Sequence, residues 1–273
     1  TPIWALAQDD LRLIRAVQEQ DNTAVQALLD SGIDINAEAA DGSRALHWSV
    51  HRDNSAITQL LLKAGAEVNS KNRYGVAPLS LAANNGNPEM VELLLSTGGL
   101  PNTAMAENET VIMTAARTGV VASVALLIEA GANVNERESW RGQSALMWAA
   151  GEGNLEVVEL LVRNNADIAA RSERGFTPLL FAAREGKTAT VEALLDLGAD
   201  IEEALPAGRA VVTENGLSGA AQTGMTPLLL AIGSAHFETA ALLLDRGANP
   251  NAAPLGWAPI HQISWIRKAG QAG

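Results

Sequence analysis

Between Ala45 and His51 the chain reads ALHWSVH, two imidazoles four residues apart with an indole beside them. On a helix that spacing puts His47 and His51 on one face, as a pair of zinc ligands would sit. The chemistry stops there. A zinc site needs a third and a fourth donor, and the chain has no cysteine and only two further histidines, His236 and His261. No Gly-x-Ser-x-Gly elbow, His-Glu-x-x-His helix or Gly-x-x-x-x-Gly-Lys phosphate loop occurs. Asp and Glu total 31, but they are scattered over stretches that read as exposed turns, where a solvated charge is the default. The residues predict no metal, no cofactor and no catalytic constellation. Asn108-Glu109-Thr110 matches a glycosylation sequon at an expected turn, a match that carries meaning only in a glycosylating secretory pathway.

Composition narrows the class. The chain has 273 residues, 47% hydrophobic but only 4% aromatic, so its apolar content is mostly Ala, Leu and Val, suited to closely stacked helices. Lys and Arg total 19, giving a net charge of −12 that repels phosphate backbones and anionic membrane. No run reaches the roughly 20 apolar residues needed to span a bilayer. The start at Thr1-Pro2 rather than Met reads as a processed or excerpted chain.

Two phrases recur along the sequence. The first, a Leu-Leu run followed by a glycine phrase, returns at Gly32, Gly65, Gly98, Gly131, Asn165, Gly198 and Gly247, at intervals of 33, 33, 33, 34, 33 and 49. The second keeps the same beat, as in DGSRALHW at Gly42, YGVAPLSL at Gly75, RGQSALMW at Gly142, RGFTPLLF at Gly175 and TGMTPLLL at Gly224. A period near 33 marks a stacked repeat architecture. Within each unit, Thr177-Pro178 and Thr226-Pro227 set an N-cap hydroxyl before a proline that misses no hydrogen bond. Paired alanines follow, then an apolar stripe such as Val157, Val158, Leu160 and Leu161. A glycine then leaves the helix through the left-handed region, with Asn165 the one stand-in.

These phrases resemble the ankyrin repeat, over nearly the whole chain from about Leu11 to Ile263. The resemblance implies an all-α solenoid of helix-turn-helix units joined by β-turn or hairpin loops. Residues 1–38, with the charged positions Arg12, Arg15 and Glu19, read as an N-terminal capping helix pair, and residues 39–203 as repeats. The 49-residue interval places an insertion at 204–222, read as a tolerated inter-repeat loop; a further repeat covers 223–253. Residues 254–273 begin another unit without a second helix, as in an array cut from a longer one.

In the family the inner helices line a concave groove and the turns project along one edge. Carried over by register, the groove positions are Trp48, Leu81, Thr114, Trp148, Phe181, Leu230 and Gln262, three of them aromatic in a chain with ten aromatic residues. Arg52, Asn85, Arg117, Glu152, Arg184 and Glu185 supply a polar rim, and Tyr74, Trp140 and Arg141 the turn tips. An aromatic stripe with a mixed-charge rim is the composition of a protein interface. The implied function is a scaffold that binds a protein or peptide of unnamed identity. Packing of the aromatics against neighbouring repeats, a sugar or other small ligand on the stripe, and a grafted hydrolytic site are the alternatives. The wording of the repeats is similar to bacterial ankyrin proteins, which implies an exported or periplasmic location ahead of a cytoplasmic one. A monomer is expected, with association through the open C-terminal end as its variant. The histidine pair reads as structural, His47 standing where the family's imidazole ties turn to helix.

Overall fold

The computed structural model describes residues 3–206, 211–213, 216–218 and 224–252. They divide into two compact units, Thr1–Ser139 and Trp140–Gly273. The first carries the helix pairs α1 (Ile3–Gln18) and α2 (Asn22–Asp30), α3 (Ala45–His51) and α4 (Ser55–Lys63), α5 (Pro78–Asn85) and α6 (Pro88–Ser96), and α7 (Val111–Thr118) and α8 (Val121–Glu129). The second carries α9 (Ala145–Glu152) and α10 (Leu155–Arg163), α11 (Pro178–Arg184) and α12 (Thr188–Asp196), and α13 (Pro227–Gly233) and α14 (Phe237–Asp245). Within each unit the first helix of a pair packs on the first helix of the next, α3 on α5 on α7 and α9 on α11 on α13. This is the all-α repeat architecture expected from the 33-residue beat.

Small residues make the inner stack possible. Ala82, Ala83, Ala115, Ala116, Ala149, Ala150, Ala182 and Ala183 are all fully buried, because a methyl group is all that fits where successive inner helices approach. The outer helices close the core with Leu61, Leu94, Leu127, Leu161, Leu194 and Leu243, each fully buried and each stabilising by about 1.5–3 kcal/mol relative to exposure. Helix starts follow the local chemistry: Thr177 and Thr226 accept from the N–H groups of Leu180 and Leu229 at 3.3 and 3.4 Å. Asn54 and Asn87 do the same for α4 and α6 at 3.0 and 3.1 Å. At the exit of α10, Asn165 takes φ +65°, the left-handed conformation that the other units reach with glycine.

The recurrent terminal Asn of the glycine phrase has a structural cause. Asn69 donates Nδ2–H to the carbonyl of Gly98 and accepts from the N–H of Leu100, both at 2.9 Å, so one side chain ties two successive turns. Asn36 makes the same pair with Gly65 and Glu67, and Asn102 with Gly131 and Asn133. In the second unit Ala169 stands at this position, and at the next Glu202 accepts from the N–H of Asn249 at 2.6 Å.

The described part of the 204–222 segment includes regular structure. It holds a two-stranded antiparallel hairpin, β1 (Val211–Thr213) and β2 (Gly216–Ser218), paired Val211 to Ser218 and Thr213 to Gly216. β-branched Val211, Val212 and Thr213 favour the extended backbone. The segment leaves and re-enters the repeat through one backbone pair: Leu205 N–H donates to Met225 at 3.1 Å, and Gly224 N–H to Leu205 at 2.8 Å. The partial unit at 254–273, including Gln262, His261, Trp265 and Ile266, lies outside the described residues.

Candidate functional site

In the first unit, α3 and α5 bring Trp48 and Leu81 side by side, both half-buried, at the edge of an open cleft of about 150 Å³. The turns preceding the two helices supply the rest of its lining: Asp41 and Ser43 from one, Asn72 and Val76 from the other, with His47 and His51 from α3. Successive turn tips are held in register here by the Arg73 N–H donating to the Asp41 carbonyl at 2.9 Å.

His47 is a structural imidazole. Its Nδ1 accepts from the Arg44 N–H at 3.2 Å and its Nε2 sits 3.1 Å from the Val76 carbonyl, which fixes the Nε2–H tautomer and links two repeats. Burial holds its pKa below the usual histidine value, so the ring is neutral at physiological pH. His51 is exposed and meets Trp48 edge-on, ring centroids 5.8 Å apart. Both His47 nitrogens being engaged by backbone, the pair does not converge on a common point. Among the described residues no group of three His, Asp or Glu side chains gathers to hold a metal.

Asp41 is the cleft's carboxylate. Its oxygens accept from the N–H and the Oγ–H of Ser43, both at 2.9 Å, and the backbone N–H of Ser43 is the main cause of a pKa below the ordinary value. The indole Nε1 of Trp48 is closed off from water without a hydrogen-bond partner, an arrangement that costs about 1–3 kcal/mol.

The remaining sequence-expected positions fall into three kinds. Tyr74 (69% exposed) and Arg52 stand open at a turn tip and at the end of α3. Asn85 and Arg117 are exposed but also act as clamps, Asn85 donating to the Val50 carbonyl at 2.8 Å and Arg117 to Asn84 at 3.4 Å. Thr114 is buried and donates to Glu109 at 2.9 Å.

In the second unit Trp140 is 63% exposed, with the Arg141 guanidinium 3.9 Å from its ring centroid. Trp148 is half-buried on α9, and Glu152 is exposed at that helix's end. Phe181 and Leu230, expected on the groove surface, are instead buried in a cluster with Met147, Phe176, Leu180 and Leu229. Phe176 packs on Phe181, ring centroids 5.1 Å apart, and Leu205 and Met225 complete the cluster. Arg184 then covers both rings at 4.9 and 5.1 Å while pairing with Glu185 at 2.8 Å.

Sequence reasoning missed Asp41, Ser43, Asn72 and Val76 as cleft residues. It also missed the half-buried contact between Glu203 and the Thr177 hydroxyl at the root of the insertion, which joins residues 26 apart. The Arg171 guanidinium reinforces that root through the carbonyls of Gly175 and Ala204 at 2.8 and 3.1 Å.

A family model of ankyrin repeats matches residues 13–105, 79–172, 112–204 and 172–254, overlapping spans that run through both units. No curated relative matches the chain. The helix pairs, the glycine exits, the His47 bridge and the Asn ladder between turns agree with that match at the level of individual residues, and the chain belongs to the ankyrin-repeat family.

Proposed function

We propose that this chain is a binding scaffold that holds a protein or peptide partner against the inner-helix faces and turn tips of its units. Ankyrin repeats generally serve as protein–protein interaction modules. The observation that carries the reading is the cleft at Trp48 and Leu81: a large aromatic and a leucine left half-open on inner helices, beside polar groups from two turns. Such a mixture of aromatic body and fixed polar atoms suits an interface anchor. Trp148, Glu152 and the exposed Trp140–Arg141 pair are the corresponding anchors of the second unit.

Site-specific photo-crosslinking in a lysate of the source organism tests this. A photoreactive residue at Leu81 or Glu152 is expected to trap a discrete partner, and one at the outer-helix positions Glu129 or Glu156 is not. Trapping confined to the outer helices, or no partner at any position, overturns the proposal. Trp48→Ala should weaken capture by roughly 10-fold or more, as for an anchor residue worth above 1 kcal/mol.

A further inference from the structure

The cleft in the first unit has an unbalanced chemistry. Asp41 is its one carboxylate, and it forms none of the ion pairs among the described residues. A carboxylate has about four lone-pair sites; Ser43 occupies one on each oxygen, so Asp41 keeps capacity for further donors. The neighbouring Arg44 is committed elsewhere, to Glu38 at 2.8 Å and to Glu67 at 2.5 Å. Arg52 and Arg73 are exposed and take no part in the lining. His47 is neutral and bound to backbone on both sides.

Next to this anionic point lie apolar surfaces: the Trp48 indole, Val76 and Leu81. A volume of about 150 Å³ is that of a cavity able to hold a benzene-sized group. The demand is therefore for a planar group of that size, cationic, able to donate in the plane and to lie against an aromatic ring.

We propose that this cleft receives the arginine side chain of a peptide partner, its guanidinium donating to Asp41 and stacked against Trp48. The inference deepens the groove reading by naming the chemistry of one anchor. A guanidinium meets each demand at once: it is flat, weakly hydrated, matched to a carboxylate and stacks on aromatic faces. A lysine ammonium is a compact, strongly hydrated charge that leaves the indole face unused. A glutamate meets the Asp41 charge, and an aliphatic side chain desolvates that carboxylate without replacing the lost water. The chain's net charge of −12 also draws basic segments toward it.

The test follows the Trp48 indole N–H resonance of the ¹⁵N-labelled chain, assigned by its loss in Trp48→Phe. N-acetyl-arginine amide is expected to shift it saturably. N-acetyl-citrulline amide, of the same shape but uncharged, is expected to bind at least 10-fold more weakly, and added salt should weaken the arginine probe alone. Asp41→Asn keeps an acceptor for the Ser43 N–H and loses only the one for its Oγ–H, so it is expected to stay folded with a modestly lowered melting temperature and to lose the preference for arginine over citrulline. Equal binding of the two probes to the wild-type chain, or no saturable shift, overturns the proposal, and that comparison does not depend on how any variant folds. Arginine selectivity that survives in Asp41→Asn overturns the assignment of Asp41. Crosslinking at Leu81 that persists when the arginine probe does not bind leaves the groove reading standing and removes the arginine pocket; the opposite pattern removes the groove reading alone.

Discussion

Glu203 is a carboxyl whose surroundings oppose its charge. Its carboxyl is pushed up to about 7 from 4.5, first by burial, against the opposing pull of the Thr177 hydroxyl and Arg171, with Asp200 adding repulsion. The native state therefore holds this proton more tightly than the unfolded chain. Stability from Glu203 is fully present below the unfolded value of 4.5 and falls away as pH rises through about 7. Glu203→Gln keeps an acceptor for Thr177 and carries no charge, so it is expected to raise stability at pH 8 by about 1–2 kcal/mol, discounted for the solvent the group still meets. The gain should vanish near pH 4. Thermal melts of the two proteins at both pH values check this; a difference of the same size at pH 4 and pH 8 refutes the ionisation argument. None of this was legible in the sequence. Glu203 sits in a turn where the default is a solvated charge, and its hydrogen-bond partner Thr177 stands 26 residues away. His47 was legible, because its partners come from the repeating turn-to-helix phrase itself.

At the scale of the element, what could be read was whatever the repeat states many times. Helix starts at Thr177 and Thr226, the alanine pairs and the left-handed exit at Asn165 each follow from one or two local residues. The groove surface was legible only in register. Phe181 occupies the same register position as Trp48 and Trp148 yet is buried: Phe176 from the preceding turn packs on it, where Ser43 and Gln143 stand before Trp48 and Trp148. The Asn ladder offers a sharper test of how the elements cohere. Asn69 is exposed and would pass for a neutral surface position, but it bonds two turns at once. Asn69→Ala is expected to cost about 1–2 kcal/mol, since two hydrogen bonds of ordinary worth are lost with no core disturbed. The converse holds where the ladder is missing: Ala169→Asn should stabilise the second unit by about 0.5–1 kcal/mol by reaching the turn that follows. Denaturant titrations with unchanged slopes would report both effects. A neutral Asn69→Ala would show that the ladder follows the stacking of the turns without supporting it.

The whole molecule raises the question of whether its two units share one transition. Each has its own buried core, Leu46, Leu61, Leu94 and Leu127 in the first and Leu146, Leu161, Leu179 and Leu194 in the second. In a repeat array stability is a sum of unit terms and nearest-neighbour terms, so cooperativity is set by how the second compares with damage to the first. Leu94 is fully buried at the contact of α6 with its neighbours, and Leu94→Ala should cost about 2–5 kcal/mol, a transfer loss plus the cavity left behind. Concentrated in one unit, that loss is expected to separate the transitions. Fluorescence of Trp48 and of Trp148, each isolated by replacing the other tryptophans with Phe, would report the two units separately. The wild-type chain should then show coincident midpoints and Leu94→Ala a lower midpoint at Trp48 alone. Midpoints that fall together in the variant would mean that nearest-neighbour terms outweigh the cavity, and that damage in one unit is shared by the other.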